Sequence, residues 1–496
     1  MELSPGSRRA GMWLLALLPT LLVIAIRWNA GPGRDVEDYA HYILHARNIV
    51  EGRPYGDIGC INSRFADFRC SPQPPGTPLT LAALFFVVGE HPLTTALFML
   101  AISLGFALVA GWSFARWDPL LGLGVTMLSL LTPNVIRFAS HVQSDLPFAL
   151  AAWATILVAD NRGPWSRWRV AIVTLLAFAT LSHRMLGVAL VPALLAVAVA
   201  RRKELGRRGF VPFCCLAGAL LAAVVIRGVP ELFIAYTANL ALAQNIAPLQ
   251  LGLSHALLYP FPWDLANNVY HVAGVLLTVL GAVLWAREGG WRTLGFWFGA
   301  AYFGALVVLP FMVSRYFWPL APLVVFGMLR GTAWVASRVP RVRRLAAPSA
   351  IALGCAALIA LGAAAHVLRE PPAGWLAKDP ETRDLFTALR SLADSQPVRP
   401  AFFKPRILTL ETGLRSTAIF KAPPDSARAM FERLCITHVV VGSDNQRPAA
   451  DQAMVNMIRA FPGDFVRVYD NPGYRVFRFL PVHCTQETRQ PSLGPR

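Results

Sequence analysis

Met12-Trp13-Leu14-Leu15-Ala16-Leu17-Leu18-Pro19-Thr20-Leu21-Leu22-Val23-Ile24-Ala25-Ile26 carries no charge, follows Ser7-Arg8-Arg9, and gives way to Arg34-Asp35-Val36-Glu37-Asp38-Tyr39. An uncharged apolar run of this length, with arginine on one flank and acids beyond the other, reads as a membrane-spanning helix that starts inside. It resembles a signal peptide, but no small-residue cleavage site precedes the Arg34 stretch, so it is expected to remain as an anchor.

The pattern repeats outward from this run. Apolar stretches of helix length recur over about 12–29, 93–114, 119–134, 145–159, 170–182, 185–200, 209–227, 266–286, 293–310, 317–336 and 346–367. Over the whole chain 55% of 496 residues are apolar and 15% are charged, with mean hydropathy +0.48. In lipid each stretch must satisfy its backbone internally, and none shows the alternation of barrel strands, so all are expected as helices. Pro78–Gly89 is a further apolar piece. Eleven crossings gather the basic residues on one side: Arg8-Arg9, Arg116, Arg162 with Arg167 and Arg169, the 201–208 cluster, Arg287 with Arg292, and Arg338 to Arg344. Counting Pro78–Gly89 as a twelfth crossing would break that asymmetry. The N-terminus is therefore expected inside and the C-terminus outside. The +18 net charge is then a topological signal at the inner surface, and nucleic acid is not an expected partner.

Two regions are not simple connectors. Residues 30–92 form a long outer loop in which Tyr39, Ile43, Ala46 and Val50 recur at helical spacing until Gly52-Arg53-Pro54, an expected interfacial helix. Residues 371–496 alternate helical patterns (Thr382–Ala393, Ser426–Leu434, Asp451–Phe461) with β-branched runs (His438–Val441, Phe465–Tyr469, Tyr474–Phe479). The expected fold is an all-α polytopic membrane protein of about eleven transmembrane helices over 1–370, outer loop included, followed by a small extracytoplasmic α/β domain over 371–496. Cys60, Cys70, Cys435 and Cys484 all fall in segments assigned outside, where Cys60–Cys70 and Cys435–Cys484 bridges are permitted; the pairing is left open.

Several features together resemble the GT-C glycosyltransferases, nearest to the branch of aminoarabinose transferases and protein O-mannosyltransferases. They are an acid four positions before Tyr39-Ala40, Pro74-Pro75 in the first outer loop, Ser144-Asp145 at an outer helix start, arginine at a later outer turn, and Arg315-Tyr316-Phe317-Trp318-Pro319 near the last spans. The outer tail with Lys404-Pro405-Arg406 and Thr412-Gly413-Leu414-Arg415 fits as well. The resemblance implies a bacterial plasma-membrane enzyme. It would move a sugar, with inversion, from a polyprenyl-phosphate donor to a glycan, lipid or protein acceptor on the extracytoplasmic face. It places catalysis at Asp35.

Bond cleavage between an anomeric carbon and a phosphate develops positive charge on the sugar, calls for a base if the acceptor is a hydroxyl, and leaves growing negative charge on the lipid phosphate. Carboxylates and cations are both required. Asp35 and Asp145 are the catalytic candidates, with Glu37 and Asp38 as substitutes in another register; each acid also fits a plain helix-capping role. A divalent cation held by Asp35 and Asp145 is left open. For the donor phosphate the candidates are His183-Arg184 and Arg315-Tyr316, because the guanidinium fork matches phosphate oxygens; the bland alternative is snorkelling to headgroups. Where the aminoarabinose branch carries Glu-Lys before its double proline, this chain carries Pro72-Gln73, removing an expected phosphate-contacting lysine that Arg64 and Arg69 are placed to replace. Pro260-Phe261-Pro262-Trp263-Asp264 is a candidate groove lining for the lipid. No P-loop or dinucleotide motif is present. A transporter or flippase would call for two similar halves, which are not seen, and a polymerase or ligase for basic outer loops instead of an acid after the first span.

Overall fold

The computed structural model describes residues 5–27, 37–61, 73–131, 135–136, 139, 141–161, 165–226, 242–261, 263–308, 314–369, 379–418, 422–442 and 451–481. In chain order its helices are α1 (Pro5–Arg27), α2 (Glu37–Val50), α3 (Gly76–Val88), α4 (Pro92–Ala115), α5 (Pro119–Leu128), α6 (Asp145–Asp160), α7 (Arg167–His183), α8 (Leu190–Ala200), α9 (Arg202–Ile226), α10 (Leu242–Leu257), α11 (Asp264–Arg287), α12 (Leu294–Val308), α13 (Ala321–Arg338), α14 (Pro340–Leu345), α15 (Pro348–Arg369), α16 (Pro380–Ser395), α17 (Pro405–Thr412), α18 (Pro424–Leu434) and α19 (Gln452–Ala460). The strands are β1 (Pro400–Ala401), β2 (His438–Gly442), β3 (Phe465–Asp470) and β4 (Tyr474–Phe479).

Two compact units emerge. The first comprises Met1–Asn29, Pro74–Thr77 and Pro92–Pro372; the second comprises Ala30–Gln73, Pro78–His91 and Ala373–Arg496. Most of the 30–92 segment thus groups with the tail, with Pro74–Thr77 in the first unit, whereas the division expected at residue 370 kept the whole segment with the spans.

In the first unit each of the eleven apolar stretches overlaps a helix, although the stretch expected over 119–134 is helical only over Pro119–Leu128 and those expected at 185 and 317 begin in 3-10 turns. Among the described residues four helices, Pro92–Ala115, Asp264–Arg287, Arg315–Arg338 and Pro348–Arg369, are long and apolar enough to cross a membrane. Along α11 from Val269 to Val283 every exposed position is apolar: Val269, Val272, Leu276, Val279 and Val283 face outward, while Gly274 and Gly281 are buried, and the polar exposed residues Asp264, Asn268 and Arg287 lie toward the ends. Water would not tolerate such a stripe; lipid does. Helix α10 was not expected, because Gln244, Asn245, Gln250 and His255 interrupt its apolar run. Helices α11 and α13 meet at glycine. A Cβ on Gly281 would collide with the carbonyl of Gly327, one on Gly331 with that of Leu277, and one on Gly327 would lie 2.8 Å from the carbonyl oxygen of Thr278. The Thr278 hydroxyl also donates across the seam to Val324 O at 3.2 Å. At the opposite end of α6 from Asp145, buried Asp160 receives the first N–H groups of α12, from Leu294 at 2.7 Å and Gly295 at 3.2 Å, and pairs with Arg116 at 3.1 Å.

The second unit is built on one sheet of order β1-β2-β4-β3, with β1 parallel to β2 and the other pairs antiparallel. Strand period two sorts its side chains. Val440 and Val476 pack with Leu385, Phe386 and Phe402, and Val439 and Val441 pack with Phe431, Met454 and Met457. The strands fall where β-branched runs place them; β1 and α17 were not expected, being too short for a pattern. The loop joins this core directly: Ala40 of α2 is buried in the Leu385 cluster, Ile61 N–H donates to Ser416 O at 2.8 Å, and Ser416 N–H donates to Gly59 O at 3.0 Å. Cys60 and Cys435 each take part in a disulfide, and Cys214, Cys215 and Cys355 are free. Cys70 and Cys484 lie outside the described residues.

Candidate active site

Asp145 is the first residue of α6, and it is buried. Ser144 occupies the N-cap position without a capping hydrogen bond. Instead of closing the helix end, the carboxylate of Asp145 meets two arginines: Oδ1 forms an ion pair with Arg184 Nη1, and Oδ2 lies 3.9 Å from Arg315 Nε.

Both arginines stand on breaks in helical structure. Arg184 is extended (φ −151°, ψ 141°) between α7 and the 3-10 turn Met185–Ala189, a bend so tight that a Cβ on Gly187 would lie 2.8 Å from the Leu181 Cα. Arg315 opens the 3-10 turn Ser314–Leu320 ahead of α13. That turn is fastened twice, by the Tyr302 hydroxyl donating to Tyr316 O at 2.9 Å and by Trp153 Nε1 donating to Pro319 O at 2.9 Å. Trp153 sits on the same helix as Asp145, so one helix carries the acid and braces the turn that carries its cation. The Arg184 guanidinium lies over the Tyr316 ring, 4.4 Å from its centroid, and that of Arg315 lies 6.0 Å away. Two arginines sharing one carboxylate leave a net positive site, suited to an anion with several acceptor oxygens.

His183 does something different. Its Nδ1 shares a 3.0 Å hydrogen bond with Thr77 Oγ1, and Gly76 approaches Ser182 and His183 so closely that a Cβ would lie 2.7 Å from the His183 N. The imidazole therefore pins the segment after Pro74-Pro75.

In the second unit Asp38 pairs with buried Arg406 at 3.7 Å, and Asp57 with Arg415 at 2.7 Å. The tail arginines thus hold the loop. Arg47 and Glu90 pair at 2.6 Å. His41 and His45 are buried and stacked, centroids 4.6 Å apart, and His45 Nδ1 meets Tyr55 O at 2.6 Å. Gln73 lies against them: its Nε2 is 3.5 Å from His41 Nδ1, its N–H donates to His45 Nε2 at 3.4 Å, and its carbonyl accepts from the Tyr55 hydroxyl at 2.8 Å. Burial pushes the His45 imidazole down to about 4, with Arg406 adding to the effect, and pushes His41 lower still; His438 is lowered to about 4 for the same reason. Such groups bind fewer protons folded than unfolded below pH 6.5, so their stabilisation is complete above that value and is lost as pH falls toward 4. Thermal unfolding of the full chain should therefore weaken between pH 6.5 and 4, by about 1.4 kcal/mol per pH unit for each imidazole. A Tm that stays flat across that window would reject buried neutral histidines.

Asp35, Arg64 and Arg69 lie outside the described residues, as does the side chain of Glu37. Among the described residues no group of three or more histidine, cysteine or acidic side chains is placed to hold a metal ion. The convergence of Asp145 with Arg184 and Arg315 was not foreseen, since each was assigned separately; the signal was opposite charge on three turns of one assigned face. The bracing roles of Trp153 and Tyr302 left no trace in the sequence pattern.

No protein-family model and no curated protein matches the sequence. Solved structures do. ArnT from Cupriavidus metallidurans bound to undecaprenyl phosphate superposes with TM-score 0.57 at 13% identity, covering 98% of this chain and 99% of that one. The archaeal oligosaccharyltransferase AglB from Archaeoglobus fulgidus, in complex with an inhibitory peptide and a dolichol-phosphate, gives 0.59 at 13% identity over 88% and 69%. The Archaeoglobus fulgidus enzyme tethered to an acceptor peptide containing the NVT sequon gives 0.58 at 12% over 95% and 74%. The chain has the GT-C fold that these proteins share.

Proposed function

We propose that this protein is a membrane glycosyltransferase that moves a sugar from a polyprenyl-phosphate donor to an acceptor on the extracytoplasmic face, with inversion at the anomeric carbon. The observation that carries the reading is the pair of arginines sharing Asp145 within a chain whose fold matches ArnT over nearly its full length. Undecaprenyl phosphate in that ArnT structure and dolichol-phosphate in AglB are the ligand chemistry that two clustered guanidinium groups suit.

On this reading Arg184 and Arg315 hold the donor phosphate and stabilise the charge that grows on it as the anomeric carbon–oxygen bond breaks. Asp145 keeps both guanidinium groups aimed, and Tyr316 supports them. Asp35 removes or orients the acceptor proton. Because both Asp145 oxygens face arginine, charge neutralisation here is assigned to guanidinium groups. The acceptor is a glycan, a lipid or a protein, and the membrane is the bacterial plasma membrane, with the second unit outside.

Arg315→Ala is expected to lower transfer from a polyprenyl-phosphate sugar about a hundredfold, the scale for one lost transition-state donor, with membrane insertion intact. Arg184→Ala should do the same and also unpair Asp145. Unchanged kinetics in both variants would assign these arginines to the lipid interface and remove the reading.

A further inference from the structure

Gln143 has no part in the site as described so far, and its surroundings are unusual for a glutamine. The residue is 1% exposed, yet neither Oε1 nor Nε2 has a hydrogen-bond partner. Buried carboxamides are satisfied as a rule, and one that the protein leaves unsatisfied offers its donors and acceptor to a bound ligand. It stands two residues before Asp145, in a lead-in, Val142–Ser144, that is buried throughout. The helix it enters is the one on which both arginines converge.

The neighbouring groups divide the chemistry. Arg184 and Arg315 offer donors only, which is the complement of a phosphate. The acceptor atoms of Asp145 already face those guanidinium groups. A carboxamide offers one acceptor and two donors, a set that matches a hydroxyl, which both gives and receives; a phosphodiester only receives. We propose that Gln143 reads the donor sugar, binding its hydroxyl groups next to the phosphate clamp and deciding which sugar is accepted. This assignment rests on the proposed function.

Gln143→Met keeps the volume and removes both polar atoms. Relieved of an orphaned amide, the ligand-free variant should melt at the wild-type temperature or about 1 °C higher. Binding is then measured with undecaprenyl phosphate and with a panel of polyprenyl-phosphate hexoses, pentoses and uronates. The variant should bind the bare lipid phosphate within about twofold of wild type, while the wild-type preference for its best sugar-bearing lipid falls about tenfold or more. Gln143→Asn, which withdraws the amide by one methylene, should change the order of preference within the panel. Four results overturn the assignment: a preference that survives in Gln143→Met, equal loss of both lipid classes, a wild type that gains nothing from any sugar, or an unchanged order in Gln143→Asn. Failure of the wild type to bind polyprenyl phosphate in any form overturns the functional reading and the assignment with it; normal wild-type binding with a surviving preference overturns the assignment alone.

Discussion

Replacing Asp145 by alanine should cost about 3 kcal/mol of stability and reduce sugar transfer by at least about a hundredfold. The carboxylate is buried and meets two guanidinium groups, so its removal leaves two cations facing each other without a counter-charge. Breaking a buried pair from one side typically costs about 3–5 kcal/mol. The lower end applies because Arg184 and Arg315 keep part of their contact with solvent, and because Arg184 retains the Tyr316 ring. Removing the cation as well should return part of the loss: Asp145→Ala with Arg184→Ala is expected to be less destabilised than the sum of the single changes by about 1 kcal/mol or more, since the two groups belong to one network. Thermal unfolding in detergent of the two single variants and the double variant gives this coupling. A coupling near zero, or an Asp145→Ala protein as stable as wild type, would mean that the acid does not organise the arginines.

Asp35→Asn should lower transfer by at least about a hundredfold, the usual scale for a lost general base, while leaving the fold intact. Asparagine keeps the size and capping capacity of aspartate and removes its charge and basicity. Asp38→Asn is the informative control. Asp38 pairs with Arg406, and Arg406 is buried, so loss of that charge should appear as reduced stability of the loop against the tail with chemistry retained. Full transfer by Asp35→Asn with the cognate donor and acceptor removes the base assignment. If Asp38→Asn is the inactive variant while its stability is unchanged, the catalytic register shifts by three residues.

The helices were legible because hydrophobic length is a local property of the chain: each apolar stretch from 12–29 to 346–367 overlaps a helix. The strands β2, β3 and β4 were legible from an equally local property, the β-branched and aromatic runs of which Val439-Val440-Val441 is one. Helix α10 was not, because its polar positions broke the only signal in use. The candidate residues Asp145, Arg184, Arg315 and Tyr316 could be named singly from charge and sidedness. Their meeting could not, since it depends on which helices are neighbours, and nothing in a single sequence reports that. The same limit explains Lys404-Pro405-Arg406 and Thr412-Gly413-Leu414-Arg415: they read as a motif of the tail, yet Arg406 and Arg415 serve the loop through Asp38 and Asp57, acids more than 350 positions upstream. His183 was assigned by adjacency to Arg184, while its hydrogen bond runs to Thr77.

The glycine contact between α11 and α13 limits how the clamp can open. With backbone against backbone at Gly281, Gly327 and Gly331, neither helix can slide past the other without a carbonyl striking a Cα, so the pair acts as a single strut. Arg315 is carried on the turn that leads into α13, and that turn is tied to α6 through Trp153. The cation is thus mounted on a fixed post. On the proposed function, a spent lipid phosphate therefore leaves a cation that does not retreat from it, so its exit is set by the path open to the lipid and not by withdrawal of Arg315.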